Sequence, residues 1–284
     1  MKNNNYYKTI SRNLFKCKSF VIPLIILTLL FITSLLIYII NGASVNMDID
    51  NALISPNTSY LFGTNQYGQN FFYVVMISVF NTILFSAFIS ISSLLLAIML
   101  GIIWGNSSKL DYIMIFIKSI IDNIPSIFFY IIIVSSLGSG MISLLLIIIL
   151  FNWINTACLI RNNLIIVRNR DYNQVSKLLK APFHKIAINN YLPSLLPIIF
   201  NSFAVSFPQI ISLEITLSYF GLNLINESLS IGTILYESIY NNYCFSHLYL
   251  FLIPLCFLLI INMCYFYIGK SISSICNKEE SNRD

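Results

Sequence analysis

The chain has 284 residues, 57% of them hydrophobic and only 10% charged, with a formal net charge of +5 and a mean hydropathy of +0.79. A soluble domain carries about 25% charged residues, and a chain of this length with so few could not keep its apolar side chains out of water. The composition excludes a soluble domain, a disordered protein and a disulfide-rich secreted fold. It predicts an all-α, polytopic integral membrane protein.

A membrane helix needs about 20 consecutive apolar residues. Such runs cover 19–40, 71–104, 112–137, 141–160, 192–224 and 247–268, which predicts six transmembrane helices. The second and fifth runs exceed one straight span, so each tilts or carries an interfacial shoulder, and Pro208 should kink the fifth. The first run is too long for a signal peptide and has no small-residue cleavage site. The chain divides into an N-terminal segment 1–18, a first helix 19–40, a loop 41–70, a five-helix core 71–270 and a tail 271–284.

Charge sets the orientation. Lys2, Lys8, Arg12, Lys16 and Lys18 precede the first run with no acid among them, whereas loop 41–70 holds Asp48 and Asp50 and no base. The 161–191 loop carries Arg161, Arg168, Arg170, Lys177, Lys180 and Lys185 against Asp171, and loop 225–246 has Glu227 and Glu237 with no base. With the N-terminus inside, no Lys or Arg falls outside, as the positive-inside bias requires. Both termini and the 161–191 loop are therefore expected on the cytoplasmic face of the cell membrane. Lys118 sits near the inner end of its span, where it can snorkel, and Asp122 one turn later should pair with it. The net charge reports topology and needs no nucleic-acid partner. The six cysteines show no CxxC spacing, and His184 and His247 lie on opposite sides, so neither a disulfide framework nor a metal site is expected.

Residues 171–197 read DYNQVSKLLKAPFHKIAINNYLPSLLP. Tyr172, Val175, Leu178 and Leu179 recur at helical spacing, predicting an amphipathic helix from Asp171 to Lys180. Ala181-Pro182 breaks it, and Phe183, Ile186 and Ile188 begin a second short segment. By periodicity alone such an element either lies on the membrane surface or docks into a groove of a soluble partner. Glu214 is an acid deep in a span, where a carboxylate is costly; it is either hydrogen-bonded to a neighbouring helix or turned to a hydrated pathway. Gly63, Thr64 and Gly68 suit a turn at the outer interface.

The 171–197 stretch resembles the EAA loop of binding-protein-dependent ABC importer permeases, in the dipeptide/oligopeptide/nickel branch. Asp171, Tyr172, Leu179, Ile186, Leu192, Pro193, Leu196 and Pro197 fall in register. Gln174 stands for the Glu, Val175 and Ser176 for the two Ala, Lys180 for the Gly and Asn190 for the His of that pattern. Residues 61–72, LFGTNQYGQNFF, are similar to the GTDxxGRD stretch before the second span, keeping Gly63, Thr64 and Gly68 but carrying Asn65, Gln69 and Asn70 in place of its charges. Residues 214–222, EITLSYFGL, resemble ExSLSFLGLG, with Glu214, Leu217, Ser218, Phe220 and Gly221 in register, and Ser230-Ile231-Gly232 then stands for SWG.

The resemblance implies a permease subunit forming half of a translocation pathway for di- and oligopeptides, with nickel or a metal chelate as the alternative cargo. A secondary transporter is a more remote alternative, although no inverted repeat is evident. Implied partners are a homologous second permease subunit, two ABC ATPase subunits that bind ATP and Mg, an extracytoplasmic solute-binding lipoprotein and membrane lipid. The chain itself would bind no cofactor, and no catalytic or metal residue is assigned. ATPase coupling would fall to Asp171, Tyr172, Gln174, Val175, Leu178, Leu179, Lys180, Ala181, Pro182 and Ile186, with Glu214, Ser218 and Gly221 in the pathway or its packing. No GxxxxGK[ST] phosphate loop occurs in the sequence, so the expectation is a transport subunit without its own ATPase site.

Overall fold

Helices follow the apolar runs because a backbone in lipid must satisfy its own N–H and C=O groups. A computed structural model describes residues 2–42, 45–137, 141–220 and 229–281. In chain order the helices are α1 (Lys2–Lys16), α2 (Lys18–Asn41), α3 (Phe71–Asn106), α4 (Ser108–Asp122), α5 (Ser126–Leu137), α6 (Met141–Arg168), α7 (Asp171–Leu178) and α8 (Phe183–Ile186). A π-helical turn, Ala187–Tyr191, leads into α9 (Leu192–Tyr219), followed by α10 (Ile231–Tyr240), α11 (Tyr243–Ser246) and α12 (Leu248–Ser281). By length and composition α2, α3, α6, the α8–α9 unit and α12 can each cross a membrane.

The third apolar run is helical as expected, but broken. It is not one straight helix but two legs, α4 and α5, bent by 84° at 123–125, so that the described residues hold five straight spans and a sixth only if the bent pair is one broken span. Pro125 has no N–H to donate and disfavours helical geometry in the residue before it, so α4 stops and α5 starts afresh. At 1.5 Å per residue α5 is only about 18 Å long, short of a hydrocarbon core of about 30 Å. Neither Pro197 nor Pro208 interrupts α9. Segment 1–18, assigned no structure from its sequence, contains α1, whose Ile10 packs against Cys276 of α12.

Helix α3 is the spine. Thr82, Ser86, Ser90, Ser93, Ala97, Gly101 and Gly105 recur every three or four residues and all are buried, giving α3 one face of small side chains. Helix α6 runs parallel along the lower part of that face. A Cβ added at Gly101 would meet the Ala157 carbonyl oxygen at 2.9 Å, and one at Gly105 would meet Leu164 Cδ2 at 2.9 Å. Small residues at such a crossing let backbones approach closely, which is how helices gain packing energy inside lipid. At the same end Asp111 of α4 forms an ion pair with Arg161 of α6 and accepts from Trp104 Nε1 at 2.7 Å. Arg168 donates to the Gly105 carbonyl at 3.0 Å.

The opposite end is closed by the 45–70 loop. Tyr249 of α12 donates to the carbonyls of Ile54 and Thr64 at 3.2 and 2.8 Å. Gln69 Nε2 donates to the Val45 carbonyl at 2.7 Å. Helix α10 starts in a capping box, Ser230 with Thr233, and is fastened to α3: Ile231 N donates to Thr82 Oγ1 at 3.0 Å and Asn81 Nδ2 to the Leu229 carbonyl at 2.7 Å.

Overpacking a close helix crossing costs about 1–3 kcal/mol. Gly101→Val should therefore lower the thermal unfolding midpoint of the detergent-solubilised protein, whereas Met99→Val, on the exposed face of the same helix, should leave it unchanged. Equal midpoints would show that the crossing is loose.

Candidate functional site

The first candidate site is the hollow left by the bend in the third crossing. A cavity of about 590 Å³ lies between the α4–α5 corner, α6 and α9. Asp122 and Ser126 line it from the corner, Asn152 and Asn155 from α6, and Gln209, Ser212 and Thr216 from α9, with Tyr130 and Phe151 as aromatic walls. Asp122 pairs with Lys118 one turn back, yet its side chain stays 50% exposed. The sequence reading missed this set, since its members lie on three elements. One signal was present: Asn201, Gln209, Ser212 and Thr216 repeat along one face of α9 inside an apolar run, and Asn201, Gln209 and Ser212 are exposed. A polar stripe inside a span belongs against protein or a water-filled path, not lipid.

The second candidate site is α7 at the basic end. Asp171 opens the helix, which ends two residues earlier than the expected Lys180, in a C-terminal turn closed by two bonds. Lys180 N donates to the Lys177 carbonyl at 2.9 Å and Ala181 N to the Ser176 carbonyl at 3.1 Å. That pattern requires a left-handed residue just past the helix, a place suited to glycine. Lys180 occupies it with φ of 54°. Pro182 then caps α8, where Ile186 is buried.

Helix α7 has two unlike faces. Leu178 and Leu179 are 81% and 77% exposed, and Tyr172 and Val175 are exposed beside them. Lys177, Lys180 and Lys185 are exposed in the same stretch of chain. Partial burial, with the like charge of Arg168 behind it, lowers the pKa of Lys177. Gln174 donates to the Asn169 carbonyl at 2.9 Å, and so folds back onto the preceding turn. The other face holds Asn173, fully buried, and meets Asn190 at the foot of α9.

Glu214 is 1% exposed, is not among the residues lining the cavity, and has the Ser230 hydroxyl at the start of α10 as its hydrogen-bonding neighbour. It abuts Gly232 of α10, where an added Cβ would stand 3.3 Å from Glu214 Oε1, so the structure brings together the two segments 214–218 and 230–232. Ser218 is buried on the same helix, and Gly221 lies outside the described residues. Gly63 and Gly68 both have positive φ, 76° and 70°, and a Cβ at Gly68 would fall 1.6 Å from the Asp48 carbonyl oxygen. Thr64 Oγ1, buried between them, donates to the Asn51 carbonyl at 2.6 Å and accepts from Ile54 N at 2.8 Å. These three residues build the turn that carries the loop into α3.

Residues 97–274, from mid-α3 into α12, match the family of binding-protein-dependent transport system inner membrane components. Over 274 residues the chain is 30% identical to the oligopeptide transport system permease protein AmiD of Streptococcus pneumoniae (strain ATCC BAA-255 / R6), covering 95% of this chain and 88% of that protein. It is 27% identical over 188 residues to the oligopeptide transport system permease protein OppC of Bacillus subtilis (strain 168), covering 64% of this chain and 60% of that one. Over 200 residues it is 27% identical to the dipeptide transport system permease protein DppC of Lactococcus lactis subsp. cremoris (strain MG1363), covering 70% and 58%. The last two alignments span less than two thirds of those relatives.

A left-handed conformation costs a residue with a side chain roughly 1 kcal/mol. Lys180→Gly should relieve it and tighten the end of α7. Amide exchange at 179–181 should then slow by about fivefold, the equivalent of that energy. Unchanged or faster exchange would show that the turn carries no such cost.

Proposed function

The chain belongs to the family of binding-protein-dependent transport system inner membrane components, and on that premise we propose that it is a peptide-conducting permease subunit of an ABC importer. One observation carries the mechanism: two leucines, 81% and 77% exposed, stand on a short helix whose opposite face is fastened to the bundle. An exposed apolar pair on a short helix, with exposed lysines in the same stretch of chain, fits a groove in a soluble partner. In this reading α7 seats in a cytoplasmic ATPase subunit, and ATP with Mg binds there and not in this chain. Closure of two such subunits moves α7 as a rigid body and rocks the spans between inward- and outward-open states.

The cavity on α9 supplies one wall of the path, and a homologous second permease subunit supplies the other. Its amides and hydroxyls offer donors and acceptors to a peptide backbone without reading side chains. The relatives named above are oligopeptide and dipeptide permeases by name, which favours peptides over nickel or a metal chelate. A solute-binding lipoprotein delivers cargo to the 45–70 loop and α10–α11 on the outer face of the cell membrane. The charge distribution supports that orientation, with both termini and α7 in the cytoplasm.

The test uses two substitutions on α7. Burying a leucine is worth roughly 1.5–3 kcal/mol, so Leu179→Asp should abolish both ATPase co-purification and peptide uptake. Lys177→Ala, at the rim, should lose at most about 1 kcal/mol and behave nearly as wild type. Both variants should insert in the membrane normally. An aspartate variant that keeps its ATPase and transports at the normal rate would reduce α7 to a helix lying on the membrane.

A further inference from the structure

We infer that Asn173 and Asn190 are positioning residues that lock α7 to the foot of α9, so that displacement of the docking helix reaches the cavity wall; this rests on the coupling role proposed for α7. Asn173 is fully buried on a helix whose neighbouring residues Tyr172, Gln174 and Val175 are exposed. Both ends of its amide are used. Nδ2 donates to the Val167 carbonyl at the end of α6, at 2.7 Å, and Oδ1 accepts from Asn190 Nδ2 at 2.9 Å. Asn190 Nδ2 also approaches Ser176 Oγ, one turn along α7, at 3.4 Å.

Asn190 lies in the π-helical turn that runs directly into α9. Such turns are rare and frequent at functional sites. Three elements therefore meet in one amide relay: the end of α6, the inward face of α7 and the start of the helix that carries Gln209, Ser212 and Thr216. A buried amide cut off from water cannot exchange its partner cheaply, so the three move as one body. The apolar docking residues Leu178 and Leu179 point away from the relay into solvent. Docking and transmission are thus separable by mutation.

The experiment uses the importer reconstituted in proteoliposomes with its ATPase subunits and binding protein, and reads peptide taken up per ATP hydrolysed. With Asn190→Leu the ATPase subunits should remain bound and hydrolysis stay near wild type, while uptake per ATP falls about tenfold, the scale of one lost buried hydrogen bond. Asn190→His, which keeps an N–H donor at that place, should restore the ratio. An unchanged ratio in Asn190→Leu, or loss of the ATPase subunits from it, would overturn the inference. Should Asn190→Leu fail to fold or insert in the membrane, a cross-linked Asn173→Cys/Asn190→Cys pair on a cysteine-free background decides. Retained uptake supports a single rigid body, and arrested uptake refutes it. Absence of ATP-driven peptide uptake in the wild-type complex would instead sink the functional reading itself, and this inference with it.

Discussion

Close approach between α3 and α6 is the constraint on which the rest of the structure depends. Lipid tails are as apolar as leucine, so burying leucines between helices gains little in a membrane, and contact must come from fine packing and hydrogen bonds. The small face of α3 supplies that packing along its length. Gly101 and Gly105 admit α6 at the basic end, Ser93 receives Asn152 Nδ2 at 3.2 Å midway, and Thr82 anchors α10 near the other end. Asp111, Trp104 and Arg161 then tie α4 to the same crossing. With α4 held there and Pro125 forbidding its continuation, α5 must turn away, and the cavity is the space this leaves.

The cavity and the exposed leucines of α7 are consequences of that frame at two levels. Polar side chains within a span are tolerated only against protein or water, and α9 directs Gln209, Ser212 and Thr216 into the hollow. Helix α9 is braced from behind by α12, where Phe207 stacks on Tyr265 with ring centroids 3.7 Å apart. Its foot is the π-helical turn, held by Asn190 to α7. The same helix therefore presents a polar wall at mid-span and a handle at the basic end. That continuity is what a permease moved by a soluble motor needs.

Much of this was legible in the sequence, for identifiable reasons. Apolar runs located the crossings because lipid imposes length and composition at once, and the helix at 171 was visible in its spacing. The left-handed turn at Lys180 was not foreseen, since the helix was expected to run through that residue, although the glycine of the related pattern at that place was the available signal. The bend at 123–125 was missed because hydropathy reports how apolar a stretch is and not its direction, although Pro125 was the available signal. The Asp111–Arg161 pair joins residues 50 apart in sequence, and no local pattern announces it. Asn173 was passed over, and Asn190 noted only as a pattern match, because polar residues on a basic loop read as solvated, whereas packing against α6 buries the first entirely. The cavity escaped notice for a similar reason: each polar residue looked like an isolated exception until three helices placed them together.

If the chain works as the permease proposed above, the polar face of α9 borders an aqueous path whose openness follows the nucleotide state of an ATPase partner. Accessibility of Ser212→Cys, on a cysteine-free background, measures this most directly. The complex would be reconstituted in vesicles and probed with a membrane-impermeant maleimide, with and without nucleotide trapped on the ATPase subunits. The aqueous reagent should label from the cytoplasmic side without nucleotide, and from the opposite side or not at all once nucleotide is trapped. Labelling confined in both states to a lipid-soluble reagent would contradict it, because α9 would then face the bilayer.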